Sequence, residues 1–105
     1  MIQNSTIFDE MIHNAETEIR ALRQKIEELK REDDRLCKSI EDSRAWLKLP
    51  NIPWNEKAET EADIRYDETI RQQNWELIKK YESDIKEIQT QIQQAIKMQN
   101  SGKRK

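Results

Sequence analysis

Leu49-Pro50-Asn51-Ile52-Pro53-Trp54 holds both prolines of the 105-residue chain. Proline lacks an amide donor and disfavours helical geometry in the residue before it, so no helix runs unbroken through this stretch. The segments on either side are long, nearly equal, and free of proline, and the single glycine, Gly102, lies near the carboxyl end. The stretch therefore reads as a turn between two helices.

From Ile12 towards the turn, apolar residues step alternately by three and four: Ile12, Ala15, Ile19, Leu22, Ile26 and Leu29, then Leu36, Ile40 and Leu47. This is a heptad seam of about five repeats, interrupted in sequence by Asp33 and Ser43. Thr6 is suited to capping the helix, with Asp9 and Glu10 placed where the helix dipole favours acid. After the turn, the second helix begins either with Asn55 as its cap, the favoured reading, or with Pro53 as its first residue. The second seam is clearest late, in Ile78, Tyr81, Ile85, Ile88, Ile92 and Ala95. Tyr66, Ile70 and Leu77 lie on a neighbouring line, which predicts a four-residue stutter that turns Tyr66 and Ile70 inward. Acid-to-base pairs four residues apart, among them Glu16 to Arg20, Glu27 to Arg31, Asp34 to Lys38, Glu61 to Arg65, Asp67 to Arg71, Glu76 to Lys80 and Glu82 to Lys86, are expected to support the exposed faces.

Two helices of about 60 Å joined by so short a loop fold back on one another. In an antiparallel pair the residue numbers of facing seam positions share one sum. A sum of 107 matches Ile12 with Ala95, Ile19 with Ile88, Leu22 with Ile85, Ile26 with Tyr81, Leu29 with Ile78, and the charged Asp33 with Asn74. The expected fold class is all-α: an antiparallel two-helix coiled-coil hairpin, completed to a three- or four-helix bundle by another chain. Residues 1–5 form a flexible amino terminus and 6–100 one hairpin domain, with helices at about 6–48 and 56–100 around a turn at about 49–55. Ser101-Gly102 stops the second helix, and 101–105 form a basic disordered tail.

Composition fits that reading. The hydrophobic fraction is 34% and the charged fraction 38%, against about 45 to 50% and about 25% in ordinary globular domains. Net charge is −2, from 19 basic and 21 acidic residues that are well mixed, so no basic face suits a phosphate backbone and nucleic acid is disfavoured. There is no apolar run for a membrane span, and a lone cysteine without a leader-like opening segment points to an intracellular chain, cytoplasmic or nuclear.

Catalysis needs converging groups, and the chain has one His and one Cys. His13 and Cys37 on one helix stand about 36 Å apart, which excludes a nucleophile and base pair. Cys37 reads as a small apolar flank residue beside Asp33 and Asp34. The acids Glu27-Glu28 and Glu32-Asp33-Asp34 lack calcium-loop spacing, and one glycine cannot build a phosphate cradle, so no metal, cofactor or small-molecule substrate is expected.

What stands out is apolar surplus. Phe8, Met11, Cys37, Trp46, Trp75, Leu77 and Ile96 flank the seams, more than two helices can bury. Isoleucine with leucine in the first seam suits two strands, whereas isoleucine at both positions of the second suits three or four. Partners are thus expected to be other coiled-coil proteins, a hetero-oligomer in preference to a homodimer, and the chain a non-enzymatic adaptor or scaffold subunit. Trp46, Leu49, Ile52 and Trp54 form an apolar tip that either locks the loop as a satellite core or contacts a partner, and Trp75 and Leu77 join the candidate binding residues. The competing reading is a small helical inhibitor or regulator that binds one target through the acidic face at 56–68. A nucleic-acid role for Lys103-Arg104-Lys105 ranks third.

Overall fold

In the computed structural model the chain is an all-α antiparallel hairpin of two helices, α1 (Ile2–Leu47) and α2 (Trp54–Lys103). Residues 2–103 are described in backbone and 7–101 in side chain. The hairpin divides into two compact parts: Met1–Ile26 with Lys79–Lys105, which carries the termini, and Glu27–Ile78, which carries the loop.

The loop shows why the sequence turns where it does. As α1 ends, Lys48 N–H donates to the Ala45 carbonyl at 3.2 Å and Leu49 N–H to Trp46 at 3.1 Å, tightening the last turn to three-residue spacing before Pro50. Asn51 adopts φ 66°. Proline followed by a left-handed residue is the pattern of a type II turn, and asparagine tolerates that conformation better than other residues with a Cβ. Pro53 then opens α2, its carbonyl accepting from Lys57 N–H at 3.0 Å. The helix thus starts at Trp54, and Asn55, the favoured cap, lies within its first turn. The reason is that proline's fixed φ is already helical and its missing donor costs nothing at a helix start.

Both outer ends run longer than the sequence suggests. α1 begins at Ile2 rather than near Thr6, whose capping side chain falls outside the described residues. α2 continues through Ser101 and Gly102 to Lys103, and residues 104 and 105 lie outside the described residues. A glycine costs a helix about 1 kcal/mol, which stops it only when a left-handed cap forms, and the described residues include no glycine with positive φ.

Along α1 the buried residues follow the heptad without a break: Ile19, Leu22 and Ile26 in the terminal part, Asp33 and Ile40 in the loop part. Ile12, Ala15, Leu29, Leu36, Ser43 and Leu47 occupy the intervening steps, half-buried. On α2 the terminal part buries Ile85, Ile88 and Ala95, with Tyr81 and Ile92 half-buried. Lys25 Nζ stands 5.7 Å from the centre of the Tyr81 ring, a cation over an aromatic face. In the loop part Ile78 is fully buried, at 0% exposure, followed towards the turn by buried Asn74, half-buried Arg71 and Asp67, and buried Ile64.

That last series overturns the stutter. The α2 seam keeps one phase from Ile78 back to Ile64, and Tyr66 points out with 68% of its surface exposed, while Ile70 is half-buried. Shifting the seam to bury Tyr66 and Ile70 would have turned Arg71 and Asn74 out and left the buried carboxylate of Asp33 without a cation. Pairing a buried charge outweighs the area of two flank side chains.

Candidate interaction surface

The loop part carries a polar layer inside the seam. Arg71 Nε donates to Asp33 Oδ1 at 2.8 Å and Nη2 to Oδ2 at 3.4 Å, a forked guanidinium–carboxylate pair across the two helices. The hydrogen bond to Asp33 holds the Arg71 guanidinium above the usual arginine range, against a smaller opposing effect of burial. Cys37 Sγ lies 3.9 Å from Asp33 Oδ2, and Ser39 Oγ donates to Asp67 Oδ2 at 3.5 Å. Asn74, which the shared register sets level with Asp33, is buried with its Nδ2 donor unpartnered. The second ion pair among the described residues, Arg44 with Glu68, also crosses the helices. The acid-to-base pairs expected four residues apart are not closed as ion pairs, because exposed long side chains gain little by surrendering their rotamer freedom.

The apolar surplus lies outside the seam. At the tip Trp54 is 81% exposed and Leu49 56%, so no satellite core covers them, whereas Trp46 and Ile52 are half-buried. Trp75 and Leu77 are 40% and 39% exposed. Ile70 and Leu77 each stand one residue ahead of a seam position, as Trp46 does on α1. In antiparallel helices those positions border the same side of the seam, and Tyr66 lies one turn from Ile70. The second line seen in the sequence is therefore real, but it is a stripe beside the seam. Trp75 and Cys37 each follow a seam position and belong to the opposite flank. Met11 and Ile96, in the terminal part, are also exposed.

Among the described residues no group of three His, Cys, Asp or Glu is placed to hold a metal ion. His13 is exposed and Cys37 is a half-buried free thiol. The terminal part has a cavity of about 50 Å³ between Met11, Ile12, Gln91, Ile92 and Ala95, and an open groove of about 330 Å³ edged by Glu16, Arg20, Arg23 and Gln89. The first is smaller than a ligand site, and the second is walled by long mixed-charge side chains. No described helix is long and apolar enough to cross a membrane.

Sequence reasoning missed Ile64 as a seam residue and set Asp67 and Arg71 on the outer face as a pair, whereas both lie half-buried in the seam and Arg71 is bonded to Asp33. The signal was present: stepping back from Ile78 by four and three reaches Asn74, Arg71, Asp67 and Ile64, and places a cation near Asp33. Fold and surface together define the chain as an antiparallel helical hairpin with exposed apolar flanks. No protein-family model, curated protein or solved structure matches it.

Proposed function

We propose that the chain is a non-catalytic adaptor or scaffold subunit that assembles with other coiled-coil proteins, its two helices completed to a three- or four-helix bundle by a different chain. One observation carries this reading: the seam closes within the hairpin and still leaves Trp54, Tyr66, Trp75 and Leu77 exposed. Large apolar side chains left exposed on both flanks of a helical hairpin are sheltered in working assemblies by further helices. A hetero-oligomer is preferred over a homodimer. Light scattering of the purified chain, alone and mixed with helical proteins that co-purify from its native source, tests the proposal. A stable complex with a defined partner is the expected result, and a fully helical monomer that retains no partner overturns it.

A second reading, a small inhibitor or regulator, is favoured by the acids of 56–68: among the described residues Glu56, Glu59, Glu61 and Asp63 have no ion-pair partner. It requires that charge reversal on this segment abolish binding while polar substitution of Leu77 leaves binding intact.

A further inference from the structure

We propose that the flank of the loop part bearing Trp46, Tyr66, Ile70 and Leu77 is a docking face for a basic amphipathic helix of another protein, an inference that rests on the adaptor reading and names the partner's chemistry. The apolar half of the argument is geometric. Ile70 and Leu77 are seven residues apart on one line of α2, Tyr66 lies one turn from Ile70, and Trp46 borders the same side from α1. Leu77 stands near the level of Glu32, and Trp46 near that of Asp63, so the face is about 14 residues or 21 Å long. A helix of about four turns covers it, with its own apolar residues spaced by three and four.

The charge on this flank fixes the sign of the partner. Glu32, Asp42, Glu56, Glu59 and Asp63 border the stripe, against two bases, Arg35 and, one turn past Leu77, Lys80. None of these five acids is in an ion pair among the described residues, whereas Arg44 on the other flank is matched with Glu68. Unneutralised acids beside an apolar stripe favour lysines and arginines beside the incoming one. The same charges argue against a second copy of this chain, because a two-fold contact through one patch sets its acids against each other. They equally disfavour a phosphate-bearing surface.

The test uses the full chain and two fluorescein-labelled designed helices of roughly 20 residues, each with a leucine stripe, one flanked by lysines and the other by glutamates. Anisotropy titrations should show the lysine helix binding about ten-fold or more tightly than the glutamate helix, with a gap that narrows as salt rises. The Glu59→Lys/Asp63→Lys chain should lose that gap, and Glu61→Lys/Glu82→Lys, an equal charge change on the opposite flank, should keep it. Leu77→Glu should remove binding, as should Tyr66→Glu, with circular dichroism showing that each variant keeps its helix content. Equal binding of both helices, no binding, equal loss from the two charge reversals, or full binding by Leu77→Glu and Tyr66→Glu would each overturn the proposal. So would a wild-type dimer that Leu77→Glu dissociates. If Leu77→Glu still assembles with the partners that wild type takes up, this face is wrong and the adaptor reading stands. A wild type that assembles with nothing removes the adaptor reading, and with it this inference.

Discussion

Arg71 of α2 grips Asp33 of α1 through two parallel hydrogen bonds, 2.8 and 3.4 Å long, inside an otherwise mostly aliphatic seam. Asp33 is buried and Arg71 half-buried, so the acid depends on the base more than the base depends on the acid.

Arg71→Leu should therefore destabilise the hairpin by about 2 to 4 kcal/mol, since it strands a buried carboxylate. Asp33→Leu/Arg71→Leu should return stability to the wild-type level or above, because an aliphatic layer needs no charge compensation. Urea denaturation of the four proteins of the cycle checks this, and a double variant as weak as the single would refute it. The Arg71 group is raised in the folded state, so its contribution is fully present below its unfolded-state value and is lost only as pH climbs through the still higher folded value. The gap between wild type and Arg71→Leu should accordingly be the same at about pH 7 and about pH 10.

Asn74 presents a different case. Its amide is buried and its Nδ2 has no acceptor, which is the costly half of a hydrogen bond. Asn74→Leu should stabilise the chain by about 1 to 2 kcal/mol, visible as a higher thermal midpoint. Asn74→Asp should do the reverse, because it sets a second carboxylate level with Asp33. An unchanged or lower midpoint for Asn74→Leu would mean that the amide is satisfied in solution.

The turn rests on Asn51 at φ 66°. Asn51→Val should cost about 1 to 3 kcal/mol, since a β-branched side chain clashes in the left-handed region. Asn51→Gly should stay within about 1 kcal/mol of wild type, because relief of strain is offset by a more flexible unfolded chain. Thermal melts compare the two directly, and equal losses would show that the loop does not depend on this backbone geometry.

How much of this was legible from residues alone depends on how unmixed each signal was. The α1 line steps by three and four with one charged intruder, Asp33, and its phase can be read from the apolar residues themselves. α2 near the turn offers two lines at once: a polar one through Asn74, Arg71 and Asp67, and an apolar one through Tyr66, Ile70 and Leu77. Hydrophobicity alone selects the second, whereas the structure uses the first, because the burial of Asp33 on α1 constrains what α2 sets against it. That constraint is non-local, and a periodicity within one helix does not contain it. The apolar surplus was legible as a quantity, but its placement followed only once the phase of α2 was known. The turn was legible from its prolines, whereas the left-handed backbone of Asn51 showed only in the structure.

The polar layer also acts as a vernier. Slide α2 one heptad along α1 in one direction and Asp67 arrives opposite Asp33, carboxylate against carboxylate, while Arg71 comes to rest on Leu29. Slide it the other way and Arg71 meets Ser43, with the Asn74 amide against Ile40. Aliphatic rungs alone would tolerate either slippage, since one isoleucine resembles the next. A chain that kept its oils but lost this notch would hold several alignments of similar energy, so positions 33 and 71 set the alignment together and neither does so alone.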